Sequence, residues 1–152
     1  RNMIYWKDVP YGNGGSVVAI ARDKSGKEVA RHRIETAGKA VALRIEAETP
    51  TDWKADGMDL QYINVTVIDK KGRPVWDYNE PLTLQMEGAA RLVALDNGDH
   101  YTDELFHGIT SKRMYQGRMQ IILRSDQKAG NITVKVSSAG LKGTLRLKTI
   151  NE

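Results

Sequence analysis

The chain has 152 residues and a net charge of +4, with 40% apolar and 28% charged residues, which suffices for one domain core. No apolar run approaches the ~20 residues of a membrane helix, so we expect no membrane partner. Basic and acidic residues are interleaved without a Lys/Arg-rich block, which argues against a nucleic-acid partner. Without cysteine the chain has no disulfide and no thiolate metal site, and its compartment stays open. It begins with Arg1 and shows no signal peptide, so we expect a processed or excised fragment.

Apolar and polar residues alternate with a period of two along most of the chain, which predicts half-buried antiparallel strands. The predicted strands span residues 16–21, 40–47, 60–68, 82–86, 91–95, 115–125, 132–136 and 145–147. Turn signals separate them at residues 24–27, 71–74 and 129–131. No segment predicts a helix. This spacing of short strands predicts an all-β fold, an immunoglobulin-like antiparallel β-sandwich.

A domain boundary is predicted at residues 36–39. Residues 39–152 hold enough strands for one complete sandwich, whereas residues 1–38 hold two clear strands, which alone are marginally stable in water. We therefore interpret residues 1–38 as the C-terminal strands of a preceding, incomplete immunoglobulin-like domain. Unpaired strand edges and apolar side chains in this segment predict that it docks on the main sandwich or pairs with a second copy as a homodimer.

Two sets of short motifs follow one another along the chain. The N-terminal set comprises Trp6, Val9, Pro10, Tyr11 and Gly15, then residues 25–30 (SGKEVA), then Thr36-Ala37-Gly38. The C-terminal set comprises Asp96-Asn97-Gly98-Asp99, then Tyr115-Gln116-Gly117-Arg118, then residues 132–141 (ITVKVSSAGL). Their order and spacing resemble family 2 glycoside hydrolases of the β-galactosidase type, in the end of a small β domain and the C-terminal immunoglobulin-like domain that follows it. Ser25 stands where the family has Asp or Asn, a change that a turn tolerates.

The resemblance implies a non-catalytic accessory domain that packs against the catalytic and other β domains of a parent enzyme acting on carbohydrate. The catalytic glutamates would then lie in a separate (β/α)8 barrel, with no cofactor in this chain. The resemblance also suggests a periplasmic or secreted location. Two alternatives stay open, because fold alone does not specify function. They are an autonomous carbohydrate-binding or adhesion module and a cell-surface spacer of the invasin type.

Carboxylates in the chain show no catalytic pattern. Retaining glycosidases need two carboxyl groups about 5 Å apart. The candidates Glu80, Glu87, Asp103 and Glu104 lie in loops or at strand ends without an accompanying aromatic set, so we predict no catalytic residue.

Metal binding is not favoured either. Residues 96–99 predict an Asx-type turn with Gly98 at positive φ rather than a calcium site. His32, His100 and His107 lack the spacing of a zinc site, and we expect them to lie in solvent-exposed loops.

Aromatic side chains offer a different possibility, because exposed rings can stack on sugars. Trp53, Trp76, Tyr78 and Tyr101 are candidates, and we predict carbohydrate contacts at Trp76, Tyr78 and Tyr101. The alternative is packing in the core or against another domain, which is the default for tryptophan.

The segment from Gly98 to Gln116 is predicted as one long polar loop, beyond the ~12–15 residues at which plain connections become uncommon. We predict that it faces the parent enzyme through Asp99, Asp103 and Glu104, with a plain crossover between sheets as the alternative. Phe106 is predicted to be buried as a plug of the sandwich. The predicted core positions are Leu92, Val93 or Leu95, with Ile121, Leu123, Val134 and Val136.

Overall fold

The computed structural model describes residues 4–10 and 14–151. The chain divides into two compact units, Arg1–Ala37 and Gly38–Glu152, and the point of division in the sequence falls within the predicted boundary segment. The assignment of residues 1–38 to a preceding domain stays a prediction. The described residues form ten strands and contain no helix, and therefore none long and apolar enough to cross a membrane.

The first unit contains one β-hairpin. β1 (Ser16–Arg22) pairs antiparallel with β2 (Glu28–Glu35), so both predicted strands are present. Asp23 shapes the connecting turn, since its Oδ1 accepts hydrogen bonds from the backbone N–H of Ser25 at 2.8 Å and of Lys27 at 3.0 Å. Tyr11 of the N-terminal motif lies outside the described residues.

The second unit is an antiparallel sandwich of two four-stranded sheets, which confirms the predicted fold class. One sheet has the order β3-β4-β8-β6 and the other the order β10-β9-β5-β7. The strands are β3 (Ala42–Ala47), β4 (Leu60–Ile68), β5 (Pro81–Gly88), β6 (Ala90–Asp96), β7 (Ser111–Arg113), β8 (Arg118–Ser125), β9 (Asn131–Ser138) and β10 (Leu141–Lys148).

Alternating residues of the central strands fill the space between the sheets. β4 and β8 show this most clearly, because every second residue is buried while its neighbours stay partly exposed. The predicted core positions Leu95, Ile121, Leu123, Val134 and Val136 are all buried, whereas Leu92 and Val93 beside a bulge in β6 are half-buried. Burial of such side chains is the main source of sandwich stability.

A buried tryptophan, Trp53, lies beside the C-terminal residues of the chain. Trp53 is almost fully buried, and its Nε1–H donates to the carbonyl O of Asp59 at 3.1 Å, which satisfies its one polar atom. The adjacent backbone pairs with the C-terminal residues, since Ile150 N–H donates to Trp53 O at 2.9 Å. Trp53 is therefore a core residue and is unavailable for sugar stacking.

Two predictions about the segment 98–116 are wrong. It is not one continuous loop, because β7 pairs with the start of β5. The predicted strand from residue 115 begins at Arg118, since Tyr115-Gln116-Gly117-Arg118 is a two-residue hairpin turn with φ of 50° at Gln116 and 67° at Gly117. Hydrogen bonds in both directions join Tyr115 and Arg118.

Phe106 is also not the predicted plug, because 37% of its surface is exposed. Lys112 of β7 and Met114, the residue after that strand, are buried instead. The carbonyl O of Phe106 accepts a hydrogen bond from Leu95 N–H at 2.9 Å, so its backbone covers the open edge of β6. The single phenylalanine of the chain therefore contributes its backbone to the loop rather than its ring to the core.

Candidate functional site at the loop end of the sandwich

The turn that ends β6 holds the loop after it in one conformation. Gly98 N–H donates to Asp96 Oδ1 at 2.8 Å, and Asp99 N–H donates to Asn97 Oδ1 at 3.1 Å. Gly98 has φ of 73°, a conformation that glycine adopts at little cost, which confirms the predicted Asx-type turn. Tyr101 N–H donates in the same way to Asp99 Oδ1 at 3.0 Å, and the Tyr101 side chain is 97% exposed.

Three side chains fasten this loop to β7. The amide of Asn97 is buried and donates through Nδ2 to the carbonyl O of Arg113 at 2.9 Å. The carboxylate of Glu104 accepts the N–H of Arg113 at 3.2 and 3.3 Å from its two oxygens. Lys112, only 1% exposed, donates through Nζ to the carbonyl O atoms of Glu104 and Leu105, each at 3.1 Å.

The Lys112 ammonium is also 4.1 Å from the centroid of the Phe106 ring. A buried cation needs such partners, because desolvation of an ammonium is costly and the ring face is negative. Residue propensity argues against this role, since lysine is among the residues least often buried. A weak signal was present in the alternation Ser111-Lys112-Arg113-Met114, where Lys112 and Met114 share a face.

The fastened loop encloses a shallow depression of about 500 Å³. Its lining residues are Asn79, Asn97, Asp99, Tyr101, Thr102, Asp103, Glu104, Arg113, Met114 and Tyr115. The structure therefore brings the predicted inter-domain residues Asp99, Asp103 and Glu104 together with Tyr101. We call this surface the Tyr101 depression.

Trp76 and Tyr78 lie at the same end but do not line the Tyr101 depression. Trp76 is 48% exposed, and the guanidinium of Arg118 stacks on it with 4.3 Å between Cζ and the ring centroid. The Tyr78 hydroxyl is 2.8 Å from Ser138 Oγ, so this half-buried ring is bonded at its polar end. Whether Trp76, Tyr78 or Tyr101 contacts carbohydrate stays a prediction.

The turn at Gly117 fixes Arg118 beside Trp76. Gly117 N–H donates to Tyr78 O at 2.7 Å, and Gly117 O accepts from Val67 N–H at 2.8 Å. A side chain at residue 117 would overlap the carbonyl O of Val75, so only glycine fits there. The predicted Tyr-x-Gly-Arg motif is thus a turn that positions its last residue.

The remaining candidates do not assemble into a reactive site. Glu80 precedes β5 and Glu87 lies near the end of that strand, so about seven extended residues, roughly 20 Å, separate them. That distance is far from the ~5 Å of a retaining pair. In the part of the chain that the structure describes, no three His, Asp or Glu side chains are grouped as metal ligands.

The histidines are surface residues, as predicted. His32 lies in β2 rather than in a loop, and His100 follows the Asx turn. His107 Nδ1 is 2.9 Å from the carbonyl O of Val93, at the bulge of β6.

Comparison with known proteins identifies the family. The model of the glycoside hydrolase family 2 C-terminal domain 5 matches residues 43–145, which includes strands of both sheets and all of the Tyr101 depression. The chain belongs to this family. The earlier resemblance is thereby confirmed for the sandwich.

Relatives of this C-terminal domain are parts of much longer proteins. The β-galactosidase BoGH2A of Bacteroides ovatus is 33% identical over 128 residues, which are 84% of this chain and 15% of that protein. A β-galactosidase of Thermoanaerobacter pseudethanolicus is 29% identical over 83% of this chain and 15% of its own length. The crystal structure of a glycosyl hydrolase family 2 member from Bacteroides cellulosilyticus superimposes with a TM-score of 0.83 at 29% identity, over 93% of this chain and 18% of that one. The chain thus spans about 15% of the curated relatives.

Proposed function

We propose that this C-terminal domain serves a larger family 2 glycoside hydrolase as a non-catalytic accessory domain, and that its Tyr101 depression faces another domain of that enzyme. The observation that carries the proposal is the Tyr101 loop. Its backbone is fixed by the side chains of Asp99 in the loop and Lys112 in β7, yet Tyr101 itself is 97% exposed. Such a loop pays little ordering entropy on docking, and tyrosine and arginine are enriched where proteins meet.

The polar rim of the depression adds directed contacts to that aromatic anchor. Asp99, Asp103 and Arg113 present both charge signs around Tyr101 and Tyr115. Mixed charges beside aromatic rings favour one docking orientation and reject others, because like charges brought together are destabilising.

The test uses the full-length enzyme with Tyr101→Ala and Asp103→Ala combined. We expect a lower Tm of the enzyme or a raised KM, because contacts to the neighbouring domain or at the substrate entrance are lost. Gln85→Ala, an exposed residue of β5 away from the depression, is the matched control. Kinetic constants and Tm that equal those of wild type and of Gln85→Ala would contradict the proposal.

The accessory role also implies that the isolated chain hydrolyses no glycoside. Chromogenic galactosides, glucuronides and mannosides should give only background rates, because the required carboxylate pair is not formed by Glu80 and Glu87. Turnover that disappears in Glu80→Gln or Glu87→Gln would overturn this.

Autonomous carbohydrate binding is the second candidate, supported by the exposure of Trp76 and Tyr101. Titration of the chain with oligosaccharides by calorimetry separates carbohydrate binding from a purely structural role.

A homodimer through the N-terminal strands is supported by the opposed pair Val17 and Ile34, which are 58% and 64% exposed. Light scattering of the chain and of Val17→Lys tests that dimer. A periplasmic or secreted location stays a proposal by resemblance.

A further inference from the structure

A second depression lies on the outer face of the β3-β4-β8-β6 sheet, on the other side of the turn that ends β6. Its volume is about 460 Å³, and it shares with the Tyr101 depression only Asn97. The polar side chains among its lining residues are Asn64, Thr66, Asp96, Asn97, Arg118 and Gln120. We call this surface the β4–β8 groove. It is separate from the surface assigned above to inter-domain contact.

Strand register places these side chains in two adjacent rows. Thr66 on β4 is opposite Arg118 on β8, and Asn64 is opposite Gln120, which is opposite Asp96 on β6. Paired residues of neighbouring strands project from the same face about 5 Å apart. A ligand the size of one six-membered ring can therefore contact side chains of both rows.

Arg118 is the cation of the groove. Its guanidinium stacks on Trp76 at 4.3 Å, which restrains its plane and leaves its N–H edges in that plane to bond elsewhere. Arg118 forms no ion pair with any acidic residue among those that the structure describes. A stacked guanidinium presents parallel N–H donors whose best match is a carboxylate.

The amides beside it are fixed in orientation. Gln120 Nε2 donates to Asn64 Oδ1 at 3.2 Å, and Asn64 Nδ2 donates to Glu48 Oε1 at 3.1 Å. This row directs the Gln120 carbonyl oxygen away from Asn64 as an acceptor. Thr66 adds a hydroxyl, which donates and accepts, and Asp96 adds a carboxylate whose Oδ1 is held by Gly98 N–H.

We propose that the β4–β8 groove binds one uronic acid residue of a glycan. The sugar carboxylate pairs with Arg118, and the sugar hydroxyls bond to Gln120, Thr66 and Asp96. A neutral sugar would use the same hydroxyl partners but leave the Arg118 donors without an anion. A volume of about 460 Å³ accommodates a single sugar ring. Trp76 acts as a positioning residue, because it holds the guanidinium rather than lining the groove.

The test is an NMR titration of the full 152-residue chain with two matched sugars. Methyl β-D-glucuronide and methyl β-D-glucoside differ only at C6, which is a carboxylate in the first and a hydroxymethyl group in the second. Methyl α-D-galacturonide keeps the carboxylate and varies the configuration of the ring. We expect a uronide to shift the backbone amides of the groove, with an affinity about tenfold above that of the glucoside, the gain of one charge-assisted contact. Arg118→Met should remove that difference, and Trp76→Ala should reduce it.

Arg124→Met is the matched control, since Arg124 lies on the same face of β8 as Arg118, farther along the strand and outside the groove. It should leave uronide binding unchanged, and thermal unfolding verifies that all variants fold. The proposal is overturned if neither uronide shifts the groove, or if the glucoside binds equally well. It is overturned too if sodium acetate alone gives the same shifts, or if Arg124→Met weakens binding as much as Arg118→Met does. Because the readout is binding by the chain alone, a negative result leaves the inter-domain role of the Tyr101 depression untouched.

Discussion

The hairpin β1–β2 and the central pair β4–β8 are built from the same sequence pattern and end in opposite environments. Val17 and Ile34 face each other across the hairpin and are 58% and 64% exposed, whereas Ile63 and Ile121 face each other across β4–β8 and are completely buried. Alternation with period two therefore predicts that a segment is a strand with one apolar face. It does not predict which apolar face is covered, because covering requires a second sheet.

The largest effect on stability is expected when a buried side chain of β8 is truncated to alanine, and the same truncation in β1 provides the comparison. Ile121→Ala should reduce the free energy of unfolding of the sandwich by about 2–5 kcal/mol, because it removes buried methyl groups and leaves a cavity. Val17→Ala should change it by less than ~0.5 kcal/mol, since its side chain is exposed. Urea denaturation followed by tryptophan fluorescence measures both. Equal losses would mean that the hairpin apolar face is covered in solution.

A second pair compares two turn glycines. Gly117 has φ of 67° and no room for a Cβ, whereas Gly26 in the hairpin turn has φ of 84° with open space around it. Gly26→Ala should destabilise its turn by about 1–2 kcal/mol, the strain of a left-handed residue. Gly117→Ala should cost more, because the carbonyl of Val75 must also move. If Gly117→Ala leaves the free energy of unfolding of the sandwich unchanged, the turn must adapt to the added side chain.

A third pair compares two aspartates that organise turns. Asp69 is buried at the end of β4, and its carboxylate accepts the N–H groups of Gly38, Lys71 and Arg73 at 2.8, 2.8 and 2.9 Å. The hydrogen bond from Gly38 and the adjacent Arg73 guanidinium lower the pKa of Asp69 well below its usual range. A carboxyl group with a lowered folded-state pKa stabilises the fold above its unfolded pKa of about 4, and this contribution is lost as the pH falls below that value.

We therefore expect Asp69→Asn to lower the Tm of the sandwich at pH 7, with a difference from wild type that narrows below pH ~4. Asp23→Asn is the hairpin counterpart. The pKa of Asp23 is also lowered, chiefly by the Ser25 hydroxyl, but Asp23 belongs to the other compact unit and should leave the sandwich Tm unchanged. A difference between wild type and Asp69→Asn that is constant from pH 7 to pH 2 would refute the electrostatic account.

Among the substitutions expected to destabilise the sandwich, the smallest effect is expected at Phe106. Since this ring is 37% exposed, Phe106→Ala should cost about 1 kcal/mol, well below the ~3–5 kcal/mol of a buried phenylalanine. Amide hydrogen exchange should accelerate at Leu95, whose N–H bonds to the backbone of residue 106. A loss above ~3 kcal/mol would restore Phe106 to the core.

The sequence by itself determined the local features of this protein. Alternation located eight of the ten strands, and β2 was predicted only as the second strand of the N-terminal segment. The Asn97-Gly98 pair specified the turn after β6 because glycine accepts positive φ. The ordered motifs also indicated the family that the comparison later confirmed for residues 43–145. These features depend on a few neighbouring residues, which is why a single sequence suffices for them. The three-residue β7 was missed, because so short a strand has no measurable period.

The tertiary structure alone decided how side chains from distant strands combine. Trp53 is buried and Trp76 is exposed, although both follow a polar turn-like segment, and only the backbone of Trp53 pairs with the C-terminal residue Ile150. Lys112 is buried because carbonyls and a ring of the preceding loop receive its ammonium, which no propensity predicts. Arg118 lies opposite Thr66 through the register of β4 and β8, although the two residues are more than fifty positions apart in the sequence. Burial and site formation depend on such long-range pairing, and the period of a strand fixes only which of its residues share a face.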